Sequence, residues 1–172
     1  NKNRGGFVMS EGAAVLVLEE YSHAVSRGAE ILAEVCGYGN TCDAHHVTAP
    51  RPDGMTQAAA FRQALDEAGY TSEDVLYINA HGTGTPLNDV SETLAFKKAL
   101  GDDVYKAHIS SIKGSIGHML GAAGAAEAVA ERRLGQRADP ARTGRGVRGV
   151  VALRDRGLRR GVLCRPAGGL QR

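Results

Sequence analysis

Two histidines and a lysine are the residues best placed to do chemistry. His81 lies in NAHGTGTP and His118 in SSIKGSIGHMLGAAG, with Lys113 five residues before His118. Each histidine sits in or just beyond a Gly-rich loop that follows a short apolar run. A neutral imidazole N–H is a good donor to an oxyanion that develops during a reaction, a term that often dominates an enzyme's rate. A nearby lysine adds positive potential and, by like-charge repulsion, keeps an imidazole neutral. Glu127, nine residues after His118, can orient a loop or pair with Lys113. A single histidine in such a chain is ordinarily structural. Two histidines with a lysine, all in loops at strand ends, point to a site.

Other polar clusters carry less. His45, His46, Cys36, Cys42 and Asp43 can be drawn together as a metal cluster, but the cysteine spacing does not follow the zinc pattern, so no metal site is expected. GSIGHMLGAAG is not a strand followed by G-x-G-x-x-G, and G-x-x-x-x-G-K-[ST] is absent, which argues against a nucleotide cofactor. Gly117 and Gly121 form a GxxxG, which His118 and Glu127 turn towards close packing in a water-soluble domain. His23 and His108 read as ordinary.

The elements that must position these residues alternate. Ala13–Leu18 (AAVLVL) predicts a strand buried on both faces. Glu19–Arg27 has helical character and ends at Gly28. Ile31–Tyr38 predicts a second strand, and Gly39–Gly54 a loop. Met55–Ala68 places its alanines and Leu65 on one helical stripe closed by Gly69. TSEDV reads as a capping turn and Val75–Ile78 as a strand leading into HGTGTP. Asn88 can cap a helix over Asp89–Leu100. Ala107–Ser110 predicts a short strand, Ser111–Gly117 a loop, and His118–Ala130 a helix of small residues packed closely on several sides. Strands alternating with helices imply a layered α/β fold, whose sites collect in the loops at strand ends.

Charge divides the chain. Residues 1–130 hold nine Lys and Arg against sixteen Asp and Glu, whereas residues 131–172 hold twelve Arg, no Lys and three acids. A change from −7 to +9 at one point marks a boundary. The basic segment also has eight glycines and no aromatic residue, Ile, Met or His. Such usage is what GC-rich DNA yields when read out of frame. Its rival is an Arg/Gly arm for nucleic acid, which the lack of aromatic residues for base stacking disfavours. At 42% hydrophobic and 23% charged, the chain is ordinary for a globular protein. No run approaches the roughly 20 apolar residues of a membrane-spanning helix. NKNRGGFVMSEG shows no secretory pattern. Three cysteines, at 36, 42 and 164, are too few for a disulfide framework, so a cytoplasmic protein is expected.

Four segments, FVMSEGAAVLVLEE, TCDAHHVTAPRPDG, YINAHGTGTPLND and SSIKGSIGHMLGAAGAAEAV, occur in order. Together they resemble the C-terminal half of a β-ketoacyl-[acyl-carrier-protein] synthase, most closely the type II fatty-acid elongating enzymes of the thiolase superfamily. The ketosynthases of polyketide synthases share HGTGTP and KxxxGH and are the runner-up. The resemblance covers residues 1–130 and stops there. It implies a thiolase-like layered αβαβα fold, present as its C-terminal half, and usually a homodimer. It implies decarboxylative Claisen condensation of a Cys-bound acyl chain with malonyl-[acyl-carrier-protein], an acyltransferase activity with no cofactor. By motif, His81 and His118 would bind the malonyl thioester oxygen, supported by Lys113 and Glu127. Thr83 and Thr85 would hydrogen-bond the phosphopantetheine arm of the acyl carrier protein. The nucleophilic cysteine of the family lies upstream of these motifs, and neither Cys36 nor Cys42 matches it, so the chain alone is expected to be inactive. A non-catalytic partner like the chain-length factors is the other reading. The intact histidines and lysine favour descent from a catalytic subunit.

Overall fold

The computed structural model describes residues 2–75, 77–137, 149–155 and 158–165, with side chains up to residue 130. The elements in chain order are α1 (Tyr21–Ser26), β1 (Glu34–Cys42), α2 (Met55–Ala68), β2 (Tyr77–Asn79), α3 (Pro86–Leu100), β3 (His108–Ser110), α4 (Lys113–Ile116), α5 (Ala123–Arg137), β4 (Gly149–Asp155) and β5 (Leu158–Arg165). Short 3-10 turns at Ser72–Asp74, Gly101–Tyr105 and Leu120–Ala122 join them.

Five strands make one mixed sheet in the order β1-β5-β4-β2-β3. β2 runs parallel to both β3 and β4, whereas β5 is antiparallel to β4 and β1. The Arg/Gly-rich segment therefore supplies two strands of this sheet, and α5 runs across residue 130. The rest of that segment, residues 138–148, 156–157 and 166–172, lies outside the described residues, as does Leu76 of the predicted strand.

The core forms where α2 and α3 meet the sheet. Phe61, Ala64 and Leu65 of α2 pack with Ile78 of β2, Phe96 and Leu100 of α3, and Val75 and Val104. Phe61 and Phe96 meet edge to face, 5.8 Å between centroids, the arrangement that aromatic quadrupoles prefer. α2 starts and stops at Gly54 and Gly69, both left-handed, with φ of 65° and 67°. Gly69 caps it by donating to the carbonyls of Asp66 and Leu65.

Several sequence expectations are corrected. β1 runs on to Cys42, through Gly37 and Gly39, although glycine usually weakens a strand. Here glycine is what lets α2 lie on it. A Cβ on Gly39 would stand 1.8 Å from the Ala60 carbonyl oxygen, and one on Gly37 would stand 2.0 Å from that of Ala64. Gly39→Ala is therefore expected to destabilise the fold by about 1–3 kcal/mol through overpacking, measured as a lowered denaturation midpoint. An unchanged midpoint would mean that α2 lifts off without cost.

Thr85, not Asn88, caps α3, accepting from the Asn88 N–H with Pro86 in the first turn, where its missing donor costs nothing. α5 starts at Ala123, so His118 precedes the helix rather than opening it. The last correction is the largest. Ala13–Leu18 forms no strand, with Val15 85% and Val17 88% exposed, and Leu16 and Leu18 also exposed. The run has the composition of a two-faced buried strand, but a strand needs neighbours to hydrogen-bond, and the described residues provide none.

Candidate active site

The first loop leaves β2 at Asn79, and Ala80 N donates to the Ser110 carbonyl at the end of β3 (2.7 Å). Gly82 follows with φ of 46°. That conformation suits glycine, and the space demands it, because a Cβ would stand 2.5 Å from that of Ser111. The loop backbone is then held from α3. Glu92 reaches back and accepts the N–H groups of His81 (2.7 Å) and Gly82 (2.9 Å) on its two carboxylate oxygens. Asn88 Nδ2 adds a third bond (3.3 Å). Thr83 and Thr85 are neighbours, Oγ1 to Oγ1 at 3.0 Å, with Thr85 also engaged as the helix cap.

The second loop leaves β3 at Ser110. Ser111 Oγ donates weakly to the His81 carbonyl (3.4 Å) and accepts from Lys113 N (3.3 Å), so the two loops are tied at their bases. α4 is a single turn that buries Lys113. The Lys113 ammonium donates to Glu127 Oε1 of α5, and both side chains are almost wholly buried. A buried charge is tolerable only when paired in this way. Burial pushes the Glu127 carboxyl above the ordinary carboxylate range, while the Lys113 ammonium pulls it back. Burial likewise raises Glu92, against the hydrogen bonds from Gly82, His81 and Asn88 that favour its charged form.

Gly117, with φ of 73°, turns the chain so that His118 faces His81. The two rings lie 5.2 Å apart at 88°, edge to face, and Phe7 also packs on the His118 ring, 5.3 Å between centroids. Burial, aided by the Lys113 charge, lowers the His118 pKa, so the ring is neutral at pH 7. Its Nδ1 accepts the Leu120 N–H (3.0 Å). A neutral imidazole that accepts at Nδ1 must carry its proton at Nε2. His118 is thereby set as a donor through Nε2, which is the tautomer an oxyanion requires.

The structure thus brings His81, His118, Lys113, Glu127, Thr83 and Thr85 into one region around the ends of β2 and β3. His45 and His46 lie in an exposed loop, where the His46 ring accepts the Thr48 and Ala49 N–H groups. Among the described residues no group of three or more His, Cys, Asp or Glu is placed to hold a metal ion, and no helix is long and apolar enough to cross a membrane. Sequence reasoning missed Glu92, the group that holds the His81 backbone. The available signal was its place one turn after Asn88, on the α3 face that carries the Thr85 cap. Glu92→Gln keeps the shape but turns an amide group towards one of the two N–H donors. A buried donor left unpaired costs about 1–3 kcal/mol. The expected result is lower stability by that amount with faster hydrogen exchange at His81 and Gly82. A variant unchanged in both would assign the loop's rigidity elsewhere.

The family model described as beta-ketoacyl synthase, C-terminal domain, matches residues 32–131, ending one residue past the change in composition. The chain is similar to 3-oxoacyl-[acyl-carrier-protein] synthase 2 of Synechocystis, 53% identical over 130 residues, 76% of this chain and 31% of that protein. The same enzyme of Vibrio cholerae is 50% identical over 130 residues, 75% of this chain and 31% of that one. The chain therefore spans about a third of the length of these curated relatives. Among solved structures, it resembles that of a type II polyketide-synthase acyl-carrier protein in complex with its ketosynthase. There the TM-score is 0.87 at 31% identity, covering 96% of this chain and 46% of that one. A β-ketoacyl synthase from Burkholderia phymatum gives 0.73 at 32% identity, covering 87% and 41%. The fold is that of the thiolase-like ketosynthases, and over residues 32–131 the chain belongs to the β-ketoacyl synthase family, C-terminal domain.

Proposed function

We propose that this chain carries the decarboxylating part of a β-ketoacyl-[acyl-carrier-protein] synthase site, serving fatty-acid biosynthesis in the cytoplasm. The observation that carries the reading is the pair of facing imidazoles at 5.2 Å, one of them fixed as an Nε2–H donor. In this reading a malonyl thioester on an acyl carrier protein places its carbonyl oxygen between His81 and His118. The bond to its carboxylate breaks, CO₂ leaves, and the electron pair moves into an enolate whose oxygen takes the two N–H hydrogen bonds. The enolate carbon then attacks an acyl thioester held on a cysteine outside this chain. Carbon–carbon bond formation is followed by loss of the cysteine thiolate and release of the β-ketoacyl product on the carrier. The electron pair comes from the broken C–C bond, so the balance needs no cofactor.

Lys113 supplies positive potential that favours neutral imidazoles, and Glu127 holds the lysine in place. Thr83 and Thr85, hydrogen-bonded to one another beside His81, are assigned to the phosphopantetheine arm. The carrier protein as partner is supported by the similar ketosynthase solved with its acyl-carrier protein, and a homodimer of the whole enzyme by family resemblance. The similarity to polyketide ketosynthases keeps that pathway as the second reading, at lower identity than the fatty-acid enzymes.

The test grafts residues 1–130 onto a family N-terminal part bearing the nucleophile, with a family C-terminus restored. Acylation of the cysteine and release of CO₂ are measured separately. Lys113→Ala is expected to slow CO₂ release by roughly tenfold, the effect of removing about 1.4 kcal/mol of favourable potential, while acylation survives. CO₂ release that falls only in step with the melting temperature would reduce Lys113 and Glu127 to a structural pair.

A further inference from the structure

The segment that precedes the exposed apolar run crosses both loops. Gly6 N donates to the Gly84 carbonyl of the first loop (3.0 Å). His118 N donates to the Val8 carbonyl (2.8 Å), and Ser10 N to the His118 carbonyl (3.1 Å), so Met9 and His118 form a parallel bridge. Phe7, between these contacts, lies against the His118 ring, and Arg4 pairs with Asp89 at the start of α3 (3.4 Å). The glycines opposite are needed for this approach. A Cβ at Gly84 would stand 2.9 Å from the Gly6 carbonyl oxygen, and one at Gly117 would stand 2.8 Å from the Ser10 Cβ and 2.9 Å from the Val8 carbonyl oxygen.

We propose that residues 6–10 are a positioning strap that sets the spacing of His81 and His118 by pairing with both loops at once. The inference rests on the two-histidine reading for its purpose, but its geometry stands apart from it. The loops are tied at their bases through Ser111. The strap adds backbone pairing to both loops farther out, at Gly84 and at His118. Glu92 holds the His81 backbone, so loosening the strap at the His118 end acts on the His81 side chain, by letting the His118 ring that packs against it move away.

The experiment measures acylation of each histidine by diethyl pyrocarbonate, by mass spectrometry, on the whole chain at low concentration. His81 is only 9% exposed and His45 lies in the open. In the parent chain, His81 is expected to react at least tenfold more slowly than His45. Ser10→Pro deletes the donor to the His118 carbonyl, and Gly117→Ala drives a methyl group into the strap. Each should raise His81 reactivity at least fivefold relative to His45, while hydrogen exchange in residues 58–65 of the core stays as in the parent. The proposal is overturned if His81 in the parent reacts as fast as His45, or if both variants leave it within twofold of the parent. It is equally overturned if its rise is matched by exchange throughout the core, which would make the strap a general support. Loss of the functional reading reads out elsewhere, as CO₂ release from the graft indifferent to His81 and His118 with the His81 reactivity pattern intact.

Discussion

Given an acyl thioester and malonyl-carrier protein, the 172-residue chain alone should form no carbon–carbon bond between them. Condensation by the covalent route needs a thiolate at the site, and neither described cysteine is there. Cys36 lies on β1, with β5 and β4 between that strand and β2, or roughly 14 Å across the sheet at the usual strand spacing. Its thiol points towards the Glu34 carbonyl, with the Glu34 carboxylate 4.0 Å away. Cys42 closes the same strand and is exposed. The measurement is β-ketoacyl product formed by purified chain. Product that appears and is then abolished by Cys36→Ala, Cys42→Ala or Cys164→Ala would overturn the assignment of the nucleophile to another part of the enzyme.

In the graft that restores a nucleophile, His81→Ala and His118→Ala should each lower CO₂ release by a hundredfold or more. Removing one preorganised donor to an oxyanion costs on the order of 3 kcal/mol. The two losses should not simply add, because both donors act on one oxygen. Acylation of the cysteine should be far less affected, since the enolate does not exist until CO₂ leaves. His118→Gln is informative beside the alanine variant, because it tests whether an amide donor can stand in for the Nε2–H that the Leu120 contact secures. If CO₂ release stays near that of the unmutated graft, or declines only with stability, the catalytic assignment fails.

Both site loops were legible in the sequence because their signals are local. Gly and Pro after a short apolar run mark a strand end, and histidines there stand out. The Lys113–Glu127 pairing was one of two readings open for Glu127, and its burial was not legible. Other features depend on what lies across space. Gly37 and Gly39 look like the start of a loop until the carbonyls of α2 are laid against them. Glu92 looks like a surface acid of a helix until the His81 turn folds back over it. Ala13–Leu18 has every local mark of a strand and still forms none, because pairing is a property of two segments. The fold class rested on alternating elements and on family resemblance. The order β1-β5-β4-β2-β3 was not legible, since it depends on strands drawn from a segment whose composition suggested no fold.

The bridge between Met9 and His118 has a consequence for the order of events in folding. It joins residues about 109 positions apart, and the entropy lost in closing a loop grows with its length. The core around Phe61, Ile78 and Phe96 draws on residues between 61 and 104, so it closes far shorter loops. Contacts of low sequence separation form sooner, which makes the strap a late arrival on a core already standing. Its contribution should then fall on the unfolding limb rather than the folding limb, as expected of interactions absent from the transition state. The two histidines would come into register in the last step, after the rest of the domain is committed to its fold.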